Sequence, residues 1–147
     1  MALRRDDTIA ALATAPGVGA IAVVRLSGPK ARDIVRAVTG TEPQPRRAEL
    51  CTFRGAGGVS LDRGLVLFFA APHSFTGEDL VELHCHGGRI VSDALLTAVF
   101  ALGARAAEPG EFTLRAFLND KIDLLQAEAI ADLVASGSTQ AARAAVR

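Results

Sequence analysis

Glu82, His84 and His86 are the residues whose type and spacing could do chemistry together. They sit in the stretch P-H-S-F-T-G-E-D-L-V-E-L-H-C-H-G-G, Pro72–Gly88, which opens on turn formers and passes into an apolar–polar alternation. In a strand, alternate side chains point to opposite faces, so Val81, Leu83 and Cys85 share one face while Glu82, His84 and His86 share the other. Three readings compete for that polar face. It is the wet side of a half-exposed strand, a metal site in which the two imidazoles converge, or a small-molecule site in which Glu82 accepts hydrogen bonds from an amidine-like ring edge. Gly87 and Gly88 follow, where the backbone is free to take positive φ or approach a ligand closely.

The elements that must position this face read as an alternation of strands and helices. Thr8–Thr14 and Ala20–Leu26 are β-branched and apolar, joined by Pro16-Gly17-Val18-Gly19. Gly17, Gly19 and Ala22 match the dinucleotide fingerprint formally, but Ile21, Val23 and Val24 continue a strand where that fingerprint needs a helix. Arg25, near the end of this strand, is either an edge arginine with a wet head or an anion anchor. Ser27-Gly28-Pro29 starts a helix that runs to Thr39, with Ile34, Val35 and Val38 inward and Gly40 as its stop. Thr41–Arg47 is an exposed connection. Glu49–Arg54 and Gly58–Ala70 form a hairpin, and the near-continuous apolar run Gly64–Ala70 reads as a central strand. Arg89–Leu102 is a helix with Ile90, Ala94, Leu95 and Ala98 at helical spacing, ended by Gly103. A short strand at Ala104–Ala107 follows.

Pro109-Gly110-Glu111 begins another helix, carrying Phe112, Phe117 and Leu118 and broken at Asn119-Asp120. Asp123 with Gln126 resembles a capping pair ahead of the stripe Ala127, Ile130, Ala131 and Val134. Gly137-Ser138 interrupts before an alanine-rich helix, Thr139–Arg147, that has no stop signal. Either the 147 residues are a fragment of a longer protein or the last helix needs a partner, and the domain boundary is placed near Asn119–Asp123.

Composition narrows the function classes. At 147 residues the chain is long enough for one domain with a sizeable core. No apolar run approaches the ~20 residues of a membrane span. Sixteen basic and sixteen acidic residues balance, with neither Trp nor Tyr, which argues against a non-specific nucleic-acid grip or a base-stacking platform. Cys51 and Cys85 are too few for a disulfide or zinc framework, and a reducing cytoplasm fits. Arg4, Arg5 and Ile9–Ala15 faintly mimic a signal peptide, but Asp6 and Asp7 interrupt it. Lys30 and Lys121 are the only lysines.

Read together, D-T-I-A-A-L-A-T-A-P-G at Asp7, V-R-L-S-G at Val24, the Pro72–Gly88 stretch and P-G-E-F-T-L-R-A-F-L-N-D-K-I-D-L-L-Q-A-E-A-I-A-D-L at Pro109 resemble one family. It is the N-terminal region of the tRNA-modification GTPases called MnmE or TrmE, and the matching segments cover most of the chain in the family's order. The resemblance implies an α+β domain, a mixed β-sheet with helices packed on it, related to the tetrahydrofolate-binding domain of aminomethyltransferases. It places that domain at residues 1–119 and the beginning of an all-α helical domain at 120–147. It further implies homodimerisation through the N-terminal domain and a site for 5-formyl-tetrahydrofolate or a related tetrahydrofolate. Motif by motif, that site falls on Arg25, Glu82 and Lys121.

The whole family protein acts with the flavoprotein MnmG to add a carboxymethylaminomethyl-type group to C5 of the wobble uridine of certain tRNAs. GTP, magnesium and potassium belong to its GTPase domain. No G-x-x-x-x-G-K-[ST] loop occurs in these 147 residues, so the reading assigns no catalytic residue and no GTP hydrolysis to this segment. A stand-alone folate-dependent one-carbon transferase is the alternative. His84, Cys85 and His86 receive no role from the resemblance.

Overall fold

The computed structural model describes residues 6–14 and 19–136. Within them six strands form one mixed sheet: β1 (Ile9–Leu12), β2 (Ile21–Ser27), β3 (Glu49–Arg54), β4 (Ser60–Phe69), β5 (Leu80–His86) and β6 (Arg105–Ala106). Their spatial order is β3-β4-β5-β2-β1-β6; every pair is antiparallel except β1 with β6. Four helices accompany the sheet: α1 (Ala31–Thr39), α2 (Arg89–Ala101), α3 (Glu111–Leu118) and α4 (Leu124–Ser136). The class is α+β with a mixed sheet, as the resemblance implies. None of these helices is long and apolar enough to cross a membrane.

Strand register sorts the residues into two faces. Ala10, Leu26, Val81 and Phe68 stand side by side across four strands, and Leu12, Val24, Leu83 and Val66 form the next row. These rows carry the core, closed by Ile34, Val35 and Val38 of α1 and Leu95 and Val99 of α2. Burying such side chains fully is worth about 1.5–3 kcal/mol each, which is what fixes this face as the inner one. The opposite face carries Ala11, Arg25, Glu82 and Leu67 in one row and Val23, His84, Leu65 and Leu50 in the next. The alternation read from Leu80 onward therefore holds along β5.

Several local expectations shift. The first strand is Ile9–Leu12, shorter than Thr8–Thr14. Ser27-Gly28-Pro29 does not start a helix. Ser27 ends β2, its hydroxyl 2.7 Å from Thr76 Oγ1 and 2.8 Å from Glu78 Oε1, and α1 begins only at Ala31. Gly28 takes φ +139°, and a Cβ there would meet the Thr8 Cα at 2.6 Å, so close approach to β1 is why a glycine stands here.

On α2 the buried stripe is Ser92, Leu95 and Val99, while Ile90 is 87% exposed. The helix is apolar on more than one side, and packing on β1 and β2 selects its rotation. On α3 the buried positions include Glu111, Thr113 and Arg115 rather than the aromatics. The capping pair is as read: Gln126 N–H donates to Asp123 Oδ1 at 2.7 Å, and Asp123 N–H donates to Gln126 Oε1 at 2.9 Å. The Pro16–Val18 turn, with Gly17 of the formal fingerprint, the Gly137-Ser138 interruption and the Thr139–Arg147 helix lie outside the described residues.

Candidate functional site

The antiparallel register of β2 and β5 sets Arg25 directly opposite Glu82. Both point away from the core, and the guanidinium reaches the carboxylate: Arg25 Nη2 donates to Glu82 Oε2 at 2.8 Å and Nε donates to the same oxygen at 3.3 Å. The pair is only partly wet, with side chains 30% and 18% exposed. Arg25 also lies over the Phe112 ring of α3, its Cζ 5.8 Å from the centroid. Such a contact restrains the guanidinium as well as stabilising it. Arg25 is thus neither an isolated edge residue nor an unengaged anion anchor; its first partner is Glu82.

Burial pushes the Glu82 carboxyl up, but hydrogen bonds from Arg25 and His84, with the Arg25 charge behind them, outweigh it and hold Glu82 below its ordinary value. Glu82 is therefore an ionised acceptor at neutral pH. His84 Nε2 lies 3.1 Å from Glu82 Oε1. His86 turns instead to Asp62, its Nδ1 2.9 Å from Oδ1. The two imidazoles thus each meet a different carboxylate. Among the described residues no group of three His, Cys, Asp or Glu side chains is arranged to hold a metal ion.

Lys121 comes from the turn that follows α3. The α3 helix ends at Leu118; Asp120 takes φ +59°, and Lys121 N–H donates to Ala116 O at 2.8 Å. That turn swings the side chain back, so Nζ donates to Pro72 O at 3.0 Å. Between β4 and β5 the chain folds as a polar loop, locked at both ends. Ala71 N–H donates to Asp79 Oδ1 at 2.8 Å, Ser74 Oγ donates to Glu78 O at 2.5 Å, and Asn119 Nδ2 donates to Thr76 O at 2.8 Å. Gly77 has φ +81°, and a Cβ there would stand 2.9 Å from the Asn119 Cβ. Only glycine lets the loop lie this close to the end of α3.

Beneath the loop sits a cluster of buried charge that sequence reasoning missed. Arg115 is 1% exposed. Its Nη2 lies 2.5 Å from Asp7 Oδ1 and 3.4 Å from Glu111 Oε2, and its Nη1 3.2 Å from Glu78 Oε1. Arg105 joins from β6, reaching Asp7 at 2.5 Å and Glu111 at 2.6 Å. The cluster ties the approach to β1, the loop, β6 and α3 together, and so sets where Phe75 and Lys121 stand relative to the sheet.

The result is an open cleft of about 350 Å³ on the outer sheet face, and Arg25, Glu82 and Lys121 all line it. Its volume is in the range of small-molecule pockets, roughly 300–1,000 Å³. The remaining walls are Arg46, Phe69, His73, Ser74, Phe75 and Leu80. His73, Ser74 and Phe75 fall within the stretch that the sequence singles out, though as turn formers rather than as walls. Arg46 carried no signal of its own. It sits at φ +60° in the connection before β3, its guanidinium 5.5 Å over the Phe69 ring and donating to His73 O at 3.2 Å. The cleft thus offers one fixed anion, three cations and two aromatic rings, a set suited to a flat heterocycle with a donor edge and an acidic tail.

An α+β domain with a polar cleft on the sheet face opposite its core is the class that fold and site define. The chain belongs to the family described as GTP-binding protein TrmE N-terminus, whose sequence profile matches residues 8–121. Similar curated proteins, each called tRNA modification GTPase MnmE, include those of Nitrosococcus oceani (59% identical, covering 98% of this chain and 31% of the relative) and Stutzerimonas stutzeri (60%, covering 96% and 31%). That of Marinobacter nauticus is 59% identical over 96% of this chain and 31% of its own length. The chain therefore spans about a third of the length of the curated relatives it matches.

Proposed function

We propose that this chain is the folate-binding and self-associating N-terminal part of a tRNA-modifying GTPase, with residues 1–119 as the folate domain and 120–147 as the start of a helical domain. The observation that carries the reading is the convergence of Arg25, Glu82 and Lys121, from three separate motifs, on one cleft. Glu82 would accept the amino group and adjacent ring N–H of a 5-formyl-tetrahydrofolate or related tetrahydrofolate, and Lys121 and Arg46 would meet its carboxylates. Arg25 keeps Glu82 ionised and in place. The donor set fits such a ligand: Glu82 Oε1 meets only His84 among the described side chains and retains acceptor capacity, while Oε2 takes both Arg25 nitrogens, one of them at a long 3.3 Å. When bound, the folate supplies a one-carbon unit; nothing in this segment is assigned a catalytic step.

The whole protein would act in the cytoplasm with the flavoprotein MnmG on the wobble uridine of certain tRNAs, its GTP, magnesium and potassium held by a GTPase domain outside these residues. Self-association is supported by the apolar part of the open sheet face. Leu50 and Leu65 oppose each other in register there, 58% and 42% exposed, an arrangement that favours a partner surface.

Calorimetric titration of 5-formyl-tetrahydrofolate into wild type and Glu82→Gln tests the site. The substitution removes the charge, turns one acceptor into a donor and changes no core volume. Affinity should fall by about 1.5–3 kcal/mol, roughly ten- to a hundredfold, with a smaller loss for Lys121→Ala. Equal affinity with an unchanged melting temperature would place the ligand elsewhere.

A further inference from the structure

The Glu82 carboxylate is gripped from two sides, and only one grip comes from a residue that lines the cleft. Arg25 places both of its bonding nitrogens on a single oxygen, Oε2. A guanidinium that bonds one oxygen leaves the carboxylate plane free to turn, because the terminal torsion of glutamate is broad. His84 Nε2 meets the other oxygen, Oε1, at 3.1 Å. An ionised carboxylate only accepts, so the His84 Nε2 carries the hydrogen and donates.

In register His84 stands between Val23 of β2 and Leu65 of β4, and its side chain is 26% exposed. With Arg25 on one oxygen and His84 on the other, the plane of the carboxylate is defined; Oε1 keeps acceptor capacity, and on Oε2 the Arg25 Nε contact, at 3.3 Å, is the weaker of the two. A ligand that presents two donors side by side gains fully from both only when that plane is set beforehand.

We propose that His84 is a positioning residue for ligand recognition: through its bond to Oε1 it fixes the plane in which Glu82 receives the paired donors of an amidine-edged heterocycle. This rests on the folate reading of the cleft. It gives the first histidine of L-H-C-H-G-G a role distinct from that of His86, which is engaged with Asp62.

The test is calorimetric titration of 5-formyl-tetrahydrofolate into wild type, His84→Leu, His84→Gln, Glu82→Gln and the Glu82→Gln/His84→Leu double variant, with melting temperatures measured alongside. His84→Leu should weaken binding about tenfold. Glutamine, which keeps an N–H donor at similar reach, should restore affinity to within about threefold of wild type. In the Glu82→Gln background the leucine substitution should add less than about twofold, because its effect passes through the carboxylate. Wild-type affinity in His84→Leu would overturn the inference alone. The same factor lost in both backgrounds would also overturn it, by showing a general structural effect. A wild-type chain that binds no folate would sink the reading of the cleft, and the inference with it.

Discussion

Replacing Arg115 by methionine is expected to destabilise the fold by about 3–5 kcal/mol, the cost of breaking a buried ion-pair cluster by removing one partner. Methionine keeps much of the volume but leaves Asp7, Glu78 and Glu111 without the guanidinium that meets all three. Arg105 still reaches Asp7 and Glu111, and Ser27 still donates to Glu78, which argues for the lower half of the range. For a domain of this size the loss corresponds to about 6–15 °C in Tm.

Urea unfolding at a series of pH values gives a sharper check than one temperature. Burial pushes the Asp7 and Glu111 carboxyls up, but Arg105 outweighs it together with Arg115, with the Glu108 backbone N–H helping at Glu111, and both groups fall below their ordinary values of 3.8 and 4.5. A depressed carboxylate stabilises the fold above its unfolded pKa, and that contribution is lost as pH falls through the folded value. The wild type should therefore lose stability below about pH 4.5. The variant, with less of this coupling, should lose less, so the gap between the two narrows in acid. A deficit under about 1 kcal/mol at neutral pH, or one that stays constant into acid, would refute the assignment of a coupled charge cluster.

Gly77→Ala combines a positive φ with a Cβ contact of 2.9 Å to Asn119, and should cost about 1–3 kcal/mol; an unchanged melting temperature would show that the loop relaxes freely. Paired Leu50→Lys and Leu65→Lys substitutions should shift sedimentation of a micromolar sample from dimer to monomer without lowering the melting temperature. A wild-type chain already monomeric at that concentration would remove the open sheet face as the contact. Purified chain should show no GTP hydrolysis above a protein-free control, since no phosphate-binding loop is present in its sequence; activity that follows the folded protein through successive columns would contradict this.

The sequence alone determined much of what depends on neighbours along the chain. The polar and apolar faces of β5, the glycine-rich hairpin between β3 and β4, and the Asp123–Gln126 cap were legible because alternation, turn chemistry and capping act over a few residues. The motifs around Val24, Pro72 and Pro109 also named the family. Tertiary structure decided what depends on register and on the rotation of helices. Arg25 and Glu82 lie 57 residues apart, and only the β2–β5 register makes them partners. Helical spacing grouped Ile90 with Ala94, Leu95 and Ala98 on α2, yet packing turned Ser92 and Leu95 to the core and Ile90 to solvent. Arg46 entered the cleft through a left-handed turn, and Arg115 became buried because Asp7, Glu78 and Glu111 converge on it from three parts of the chain. Periodicity reports a side chain's direction about its own element; which charges that direction meets is fixed only when distant elements pack.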